Sequence, residues 1–307
     1  MTYDVIIVGG GPAGLSAAIY TARARLKTLI IEKAGCGGQM AVTDMLENYP
    51  GFNGGINGFE LATKLESQVR DFGAEIVYDE VESISDTGEL KTVITPNTTY
   101  KSKTVIIAAG AKVKEMNIEG EARFIGKGIS FCAVCDAPFY RDKTVAVVGG
   151  GDSAVQEAIH LAKFGKNVII IHRRNELRAA KILQEKMLSY KNISVIYNTV
   201  PERVTGGDKI EKFIVSDVNT KKITELEVDG IFVFIGLIPN TAFISKEAAN
   251  LALDESGYII TDENMKTSVS GIFACGDIRK KQLRQVVTAA SDGAQAAISA
   301  QNYIEQH

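Results

Sequence analysis

The stretch Tyr3-Asp4-Val5-Ile6-Ile7-Val8-Gly9-Gly10-Gly11-Pro12-Ala13-Gly14 decides the fold. Residues 4–8 read as a strand buried on both faces. A glycine turn follows, and Leu15 to Arg23 reads as a helix. Gly9, Gly11 and Gly14 fit the spacing G-x-G-x-x-G. Glycines there allow a tight turn, close approach of a pyrophosphate to backbone N–H groups, and close packing of helix on strand. The next strand, Thr28–Ile31, ends at Glu32, 18 residues past Gly14 (32 − 14). An acid about 20 residues beyond the turn accepts a ribose hydroxyl.

Moving outward, the pattern restarts. Thr144–Val148 is a second buried strand, and Gly149-Gly150-Gly151-Asp152-Ser153-Ala154 is a second turn, of G-x-G-x-x-A type. The two fingerprints begin 140 residues apart (149 − 9), an internal duplication. The second copy has no acid at the end of its next strand, Asn167–Ile171. His172-Arg173-Arg174 stands there, with Arg178 one helical turn beyond Arg174 if a helix starts at that point. Guanidinium groups bind a 2′-phosphate through charge-assisted hydrogen bonds, which predicts NADPH over NADH. His160 and His172 have no nucleophile or metal partner in sequence and read as structural.

Between and around the fingerprints, Gly35–Gln39 reads as a loop and Glu47–Phe52 as a turn. Phe59–Phe72 reads as a helix closed by Gly73. Strand patterns occur at Glu75–Tyr78, Lys91–Thr95 and Val105–Gly110, the last ending in small residues, Ala109 and Gly110, that let a ligand approach the backbone. Others lie at Ile193–Tyr197, Ile210–Val218, Gly230–Gly236 and Gly271–Ile278. Leu237–Asn240 reads as a turn, and a long Ala-rich helix runs from Val286 to about Ile304. The expected class is α/β, with two nested Rossmann-like dinucleotide-binding domains. The first domain, 1–111 and 241–307, is interrupted by the second, 112–240.

The chain of 307 residues carries a net charge of −3, which offers no basis for binding nucleic acid or an anionic membrane. It starts straight into a strand, with no signal peptide or membrane-spanning run, and the expectation is cytoplasmic.

Within the second domain lies Phe131-Cys132-Ala133-Val134-Cys135-Asp136-Ala137. Two cysteines at this spacing suit a zinc site, a structural staple or a redox dithiol. Zinc needs two further ligands, yet Cys36 and Cys275 stand singly and the imidazoles are His160, His172 and His307. A staple closing so short a loop adds little and does not persist in a reducing compartment. A dithiol needs a lowered thiol pKa or an acid–base partner, and Asp136 is the adjacent candidate.

These motifs closely resemble the bacterial low-molecular-weight thioredoxin reductases, class II pyridine nucleotide-disulfide oxidoreductases, over essentially the whole chain. Gly37-Gly38-Gln39, Glu47-Asn48-Tyr49-Pro50-Gly51, Pro239-Asn240-Thr241, Gly276-Asp277 and Arg284-Gln285-Val286 match as well. The resemblance implies an NADPH-dependent thioredoxin-disulfide reductase that is a homodimer. Electrons would pass from NADPH to FAD, to the Cys132–Cys135 disulfide, and to thioredoxin. It implies FAD on Gly9, Gly11, Pro12, Ala13, Gly14, Glu32, Gly38, Gln39, Asn48, Ala109, Gly110, Gly276, Asp277, Arg284, Gln285 and Val286. NADPH would lie on Gly149, Gly151, Asp152, Ser153, Ala154, His172, Arg173, Arg174 and Arg178. It further implies that Cys135 faces the flavin, that Cys132 attacks the partner and that Asp136 moves the proton. No metal is implied. The nested order also implies that the nicotinamide and the disulfide take turns at the flavin, by rotation about crossings near Ala111–Lys114 and Leu237–Asn240. This chain departs from the family at Ala109, where Thr is common, at Lys114, where Arg is, and at Ala137-Pro138 after the redox motif. Relatives that use ferredoxin lack the nicotinamide motifs, whereas Gly149–Gly151 and the Arg cluster are present here. Alternatives are a reductase of another redoxin and a non-catalytic flavin-linked redox sensor.

Overall fold

The structure, a computed structural model, describes residues 2–43, 45–46, 48–86, 88–244 and 250–307. Glu47 of the 47–52 turn lies outside them. The chain divides into two compact units, Met1–Lys112 with Ile238–His307, and Val113–Leu237.

The first unit is built on Thr2–Val8. This strand pairs in parallel with Thr28–Glu32 on one side and Thr99–Ile107 on the other. Glu75–Tyr78 extends the sheet beyond Thr28–Glu32. The outer edge of Thr99–Ile107 is shared between two neighbours. Residues 99–102 pair antiparallel with Lys91–Ile94, itself paired with Ser83–Asp86. Residues 105–107 pair in parallel with Ile272–Ala274, from the far end of the chain. The run Val5-Ile6-Ile7-Val8 is apolar throughout because it feeds two cores. Val5 and Ile7 join one cluster, Ile6 and Val8 the other.

The helices Pro12–Arg23 and Val286–Gln306 cover the first of these faces. Their contact is lined by Ala17, Ala18, Ala296, Ala297 and Ala300, small enough for close approach. Pro12 stands in the first turn of its helix, where a missing N–H costs nothing. The Gly58–Asp71 helix is capped by Asn57, whose Oδ1 accepts from Phe59 N at 3.0 Å and Glu60 N at 3.1 Å.

The second unit repeats the plan. Its parallel sheet runs in the order Ile193–Ile196, Asn167–Ile171, Thr144–Gly149, Gly230–Phe234, Ile129–Ser130. The helices Asp152–Leu161 and Lys181–Leu188 belong to this unit. An antiparallel sheet of Thr199–Thr205, Lys212–Asp217 and Ile223–Glu227 completes it. Val145 and Val147 face the core beside the fingerprint helix, while Ala146 and Val148 face the core shared with the antiparallel sheet.

Two local expectations change. Leu237–Pro239 is a short strand, not a turn, because the residue before proline is driven to extended backbone. No helix joins Arg174 to Arg178; the next begins at Lys181. The N–H groups of Arg178 and Ala179 donate instead to Gly150 O, at 2.7 and 3.1 Å. Cys135 lies on one helical turn, Ala133–Asp136, which Cys132 caps.

Candidate functional site

In the first unit the fingerprint glycines divide into two kinds. Gly9 has φ 105°, and a Cβ there would stand 2.6 Å from Ala108 O. A Cβ on Gly14 would stand 1.9 Å from Gly9 O. These two are required by packing. A Cβ on Gly11 would meet nothing within 4 Å, so its bare backbone at the helix N-terminus faces open space. A bare helix N-terminus of this kind suits a pyrophosphate.

Glu32, at the end of its strand, accepts from Gly10 N at 2.6 Å and Ala34 N at 3.0 Å. Gly37 N donates to Gly10 O at 2.8 Å, which draws Gly38 beside the fingerprint; Gln39 is exposed. Ala109 and Gly110 follow the neighbouring strand, and Asn240 fixes them with bonds of 2.8 Å to Ala109 O and 3.0 Å to Gly110 O.

Gly276-Asp277 lies beside the same helix; a Cβ on Gly276 would press on Ala13 Cβ at 2.8 Å. Asp277 Oδ1 and Arg284 Nε are both buried without a hydrogen-bond partner among the described residues. Burial raises the Asp277 carboxyl, while Lys281 and Arg284 pull it down. Arg284 lies 4.5 Å over the Tyr258 ring. Gln285 Oε1 accepts from Asn48 Nδ2 at 2.9 Å, and Val286 opens the long helix. An orphan acceptor, an orphan donor and an open glycine floor fit a ligand with hydroxyls and a pyrophosphate, as FAD has.

In the second unit, a Cβ on Gly149 would lie 2.6 Å from both Ala154 Cβ and Phe234 O, so Gly149 and Ala154 must both be small. Gly151 is open, as Gly11 is. Asp152 and Ser153 are exposed in the first turn of the helix, and Asp152 Oδ1 accepts from Ala180 N at 2.7 Å. His172 is buried, its Nδ1 2.9 Å from Gly149 O, and a Cβ on Gly150 would collide with its ring at 2.1 Å. Burial lowers its pKa. It braces the glycine turn. Arg173, Arg174 and Arg178 are exposed, and none forms an ion pair among the described residues. Guanidinium groups on the segment that follows the strand suit a phosphate.

Cys132 and Cys135 are joined by a disulfide, with Cα atoms 5.4 Å apart. Ala133 and Ala137 are fully buried, and they pack in one core with Ala154, Val155 and Ala158 of the fingerprint helix. The redox turn is thereby seated on the helix that follows the nucleotide turn. Cys132 is half-buried and Cys135 is buried. Cys132 N donates to Ser130 Oγ at 3.1 Å, and Asp136 N to Cys132 O at 3.2 Å. Tyr140, packed edge-on to Phe232 at 5.1 Å, is pushed up to about 12 by burial, then by the charges of Asp136 and Asp229. Val134 and Phe139 stand exposed beside the pair.

The other two thiols are free. Burial pushes both upward, Cys36 to about 12, with Glu66 and Glu32 adding to it. Neither is a thiolate near neutral pH. No cluster of His, Cys, Asp or Glu suited to a metal occurs among the described residues. Sequence reasoning passed over Asp292, whose carboxylate holds Gly276 N at 3.1 Å. An acid within the Ala-rich part of that helix is the signal that it left.

The model of the pyridine nucleotide-disulphide oxidoreductase family matches residues 3–293. The chain belongs to that family. Within this oxidoreductase family it is similar to a thioredoxin reductase of Peptoclostridium litorale, 47% identical over 310 residues, covering 99% of this chain and 98% of the relative. A thioredoxin reductase of Bacillus subtilis is 46% identical over 306 residues, covering 99% and 95%. The crystal structure of thioredoxin reductase from Streptococcus pyogenes has a TM-score of 0.92 at 43% identity, covering 100% and 99%. Among the described residues, no helix of this family member is long and apolar enough to cross a membrane.

Proposed function

We propose that the chain is an NADPH-dependent thioredoxin-disulfide reductase, working in the cytoplasm as a homodimer. The observation that carries this is the Cys132–Cys135 disulfide, seated through Ala133 and Ala137 on the helix after the second fingerprint. The near-full-length similarity to thioredoxin reductases supports the partner. FAD would lie in the first unit, on the Gly9–Gly14 turn, Glu32, Gly38-Gln39, Asn48, Ala109-Gly110, Gly276-Asp277 and Arg284–Val286. NADPH would lie in the second, on Gly149–Ala154 and the 172–178 segment, with the 2′-phosphate on Arg173, Arg174 and Arg178. When bound, FAD supplies the two-electron transfer between the nicotinamide and the disulfide.

The remaining chemistry belongs to this chain. Cys132, the more exposed residue of the reduced pair, attacks one sulfur of the partner's disulfide as a thiolate. A mixed disulfide forms and the partner's other sulfur leaves as a thiol. Cys135 then attacks Cys132 Sγ, which re-forms the internal disulfide and releases the second partner thiol. The half-buried Asp136, next to Cys135, holds and moves the proton in these exchanges.

The test is anaerobic mixing of FAD-loaded protein with NADPH and then oxidised thioredoxin. The reading expects one thioredoxin dithiol for each NADPH consumed. NADPH consumption without thioredoxin thiols would rule it out.

A further inference from the structure

Asp292 sits in the Val286–Gln306 helix and is only 8% exposed. Its Oδ2 accepts from Gly276 N at 3.1 Å, Arg279 Nε at 2.9 Å and Lys281 Nζ at 2.8 Å. Its Oδ1 accepts from Arg279 Nη2 at 3.1 Å. Arg279 alone makes a bidentate pair and neutralises this carboxylate. Lys281 is a second cation on the same carboxylate, with Asp277 also in its field, yet its side chain is only 7% exposed. Burying a second cation is costly unless something answers it.

Two observations say what answers it. Lys281 Nζ also donates to Thr288 Oγ1 at 3.3 Å. Thr288 Oγ1 accepts from Gln285 N at 3.2 Å, half of the box that caps the long helix, and Gln285 Oε1 holds Asn48 Nδ2. Lys281 thus links the Gly276-Asp277 turn, through Asp292, to the Arg284–Val286 segment, through Thr288. Around it stand three cations, Arg279, Lys281 and Arg284, against two carboxylates, Asp277 and Asp292, a surplus of one positive charge (3 − 2). Asp277 Oδ1 and Arg284 Nε remain without partners among the described residues. A wall with surplus positive charge, an unmet acceptor and an unmet donor is completed by an anionic ligand that carries hydroxyls.

We infer that Lys281 is a positioning residue for FAD. Anchored on Asp292 and Thr288, it holds two ligand-facing segments of the first unit in register and supplies the positive charge that the pyrophosphate-bearing cofactor answers. This rests on the FAD reading above. Asp292 is the post and Arg279 its neutralising partner; neither they nor Lys281 need touch the cofactor.

The test strips FAD from the full-length protein and measures its rebinding by quenching of flavin fluorescence, with 2′,5′-ADP binding and apoprotein melting as controls. Lys281→Met is expected to weaken FAD by about tenfold or more, the scale of losing hydrogen bonds from a charged group. Lys281→Arg should recover most of that loss. Binding of 2′,5′-ADP, which reports on the second unit, and the apoprotein melting temperature should stay at wild-type values. Wild-type FAD affinity in Lys281→Met would overturn the inference. So would a matching loss of 2′,5′-ADP binding and melting temperature, since that marks a general structural role. Wild-type protein that takes up no FAD would remove the cofactor reading itself, a result distinct from either.

Discussion

Residues whose chemistry is carried by type and spacing were legible at once: Cys132, Cys135, the fingerprint glycines and the Arg173–Arg174 pair. Asp292 and Lys281 were not, because nothing in sequence shows that a carboxylate lies beneath a turn 16 residues before it (292 − 276). At this scale, Cys135→Ser should leave NADPH oxidation by a small artificial acceptor intact. Thioredoxin reduction should fall by about a hundredfold or more, because no resolving thiol remains. Steady-state assays with both acceptors check this, and retained thioredoxin turnover contradicts the assignment. His172 gives a pH prediction. Its imidazole is held below its ordinary value by burial, with Arg178 and Arg174 adding to it, against backbone hydrogen bonds at Gly149 and Glu176. The unfolded chain therefore takes up a proton that the folded chain refuses. Stability should fall as pH drops below about 6.5, the free-histidine range, and be fully present above it. Titration of the ring by NMR checks the shift; an ordinary or raised value refutes it.

At the scale of elements, the buried parallel strands were readable because both faces are apolar. Much of the antiparallel sheet was not. In Thr199–Thr205, Pro201 lies where the register slips, between Pro201 and Arg203, and Glu202-Arg203 breaks the alternation. Ile223–Glu227 is mostly exposed and so lacks a buried stripe. The helix Lys181–Leu188 exposes Ile182 and Leu188, which blurs its apolar face. The contact between the Pro12–Arg23 and Val286–Gln306 helices hinges on Gly293, where a Cβ would stand 2.0 Å from Ala13 O. Gly293→Ala should cost ~1–3 kcal/mol of stability by prising the helices apart. Urea denaturation measures it, and an unchanged midpoint argues against so tight a contact. The segment bearing the arginines is fixed to the second fingerprint by the Gly150 and Asp152 bonds. Arg174→Ala with Arg178→Ala should raise KM for NADPH by about tenfold or more and change that for NADH by less than about threefold. Equal effects on both cofactors would show that these side chains do not read the 2′-phosphate.

For the whole molecule, the repeated fingerprint made two nucleotide folds legible and their nesting followed from chain order. The second unit is a continuous segment, 125 residues from Val113 to Leu237 (237 − 113 + 1), with two apolar cores of its own. Expressed alone it should fold cooperatively and bind 2′,5′-ADP, since few domains of this size need a partner. A broad, uncooperative melt would contradict that. Residues 1–112 alone should not fold, because Val105–Ile107 would lack its neighbour and the first core would lose Ala289, Ala296, Ala297 and Ala300. That shared strand edge sets a timetable for synthesis. Ile272 pairs with Val105 at a separation of 167 residues along the chain (272 − 105). Because the ribosome releases the chain from its N-terminus, the inserted unit has left the tunnel before its host can close. The guest folds first, and the host waits with one edge open until the last strand and helix arrive, the interval in which a nascent-chain chaperone has most to protect.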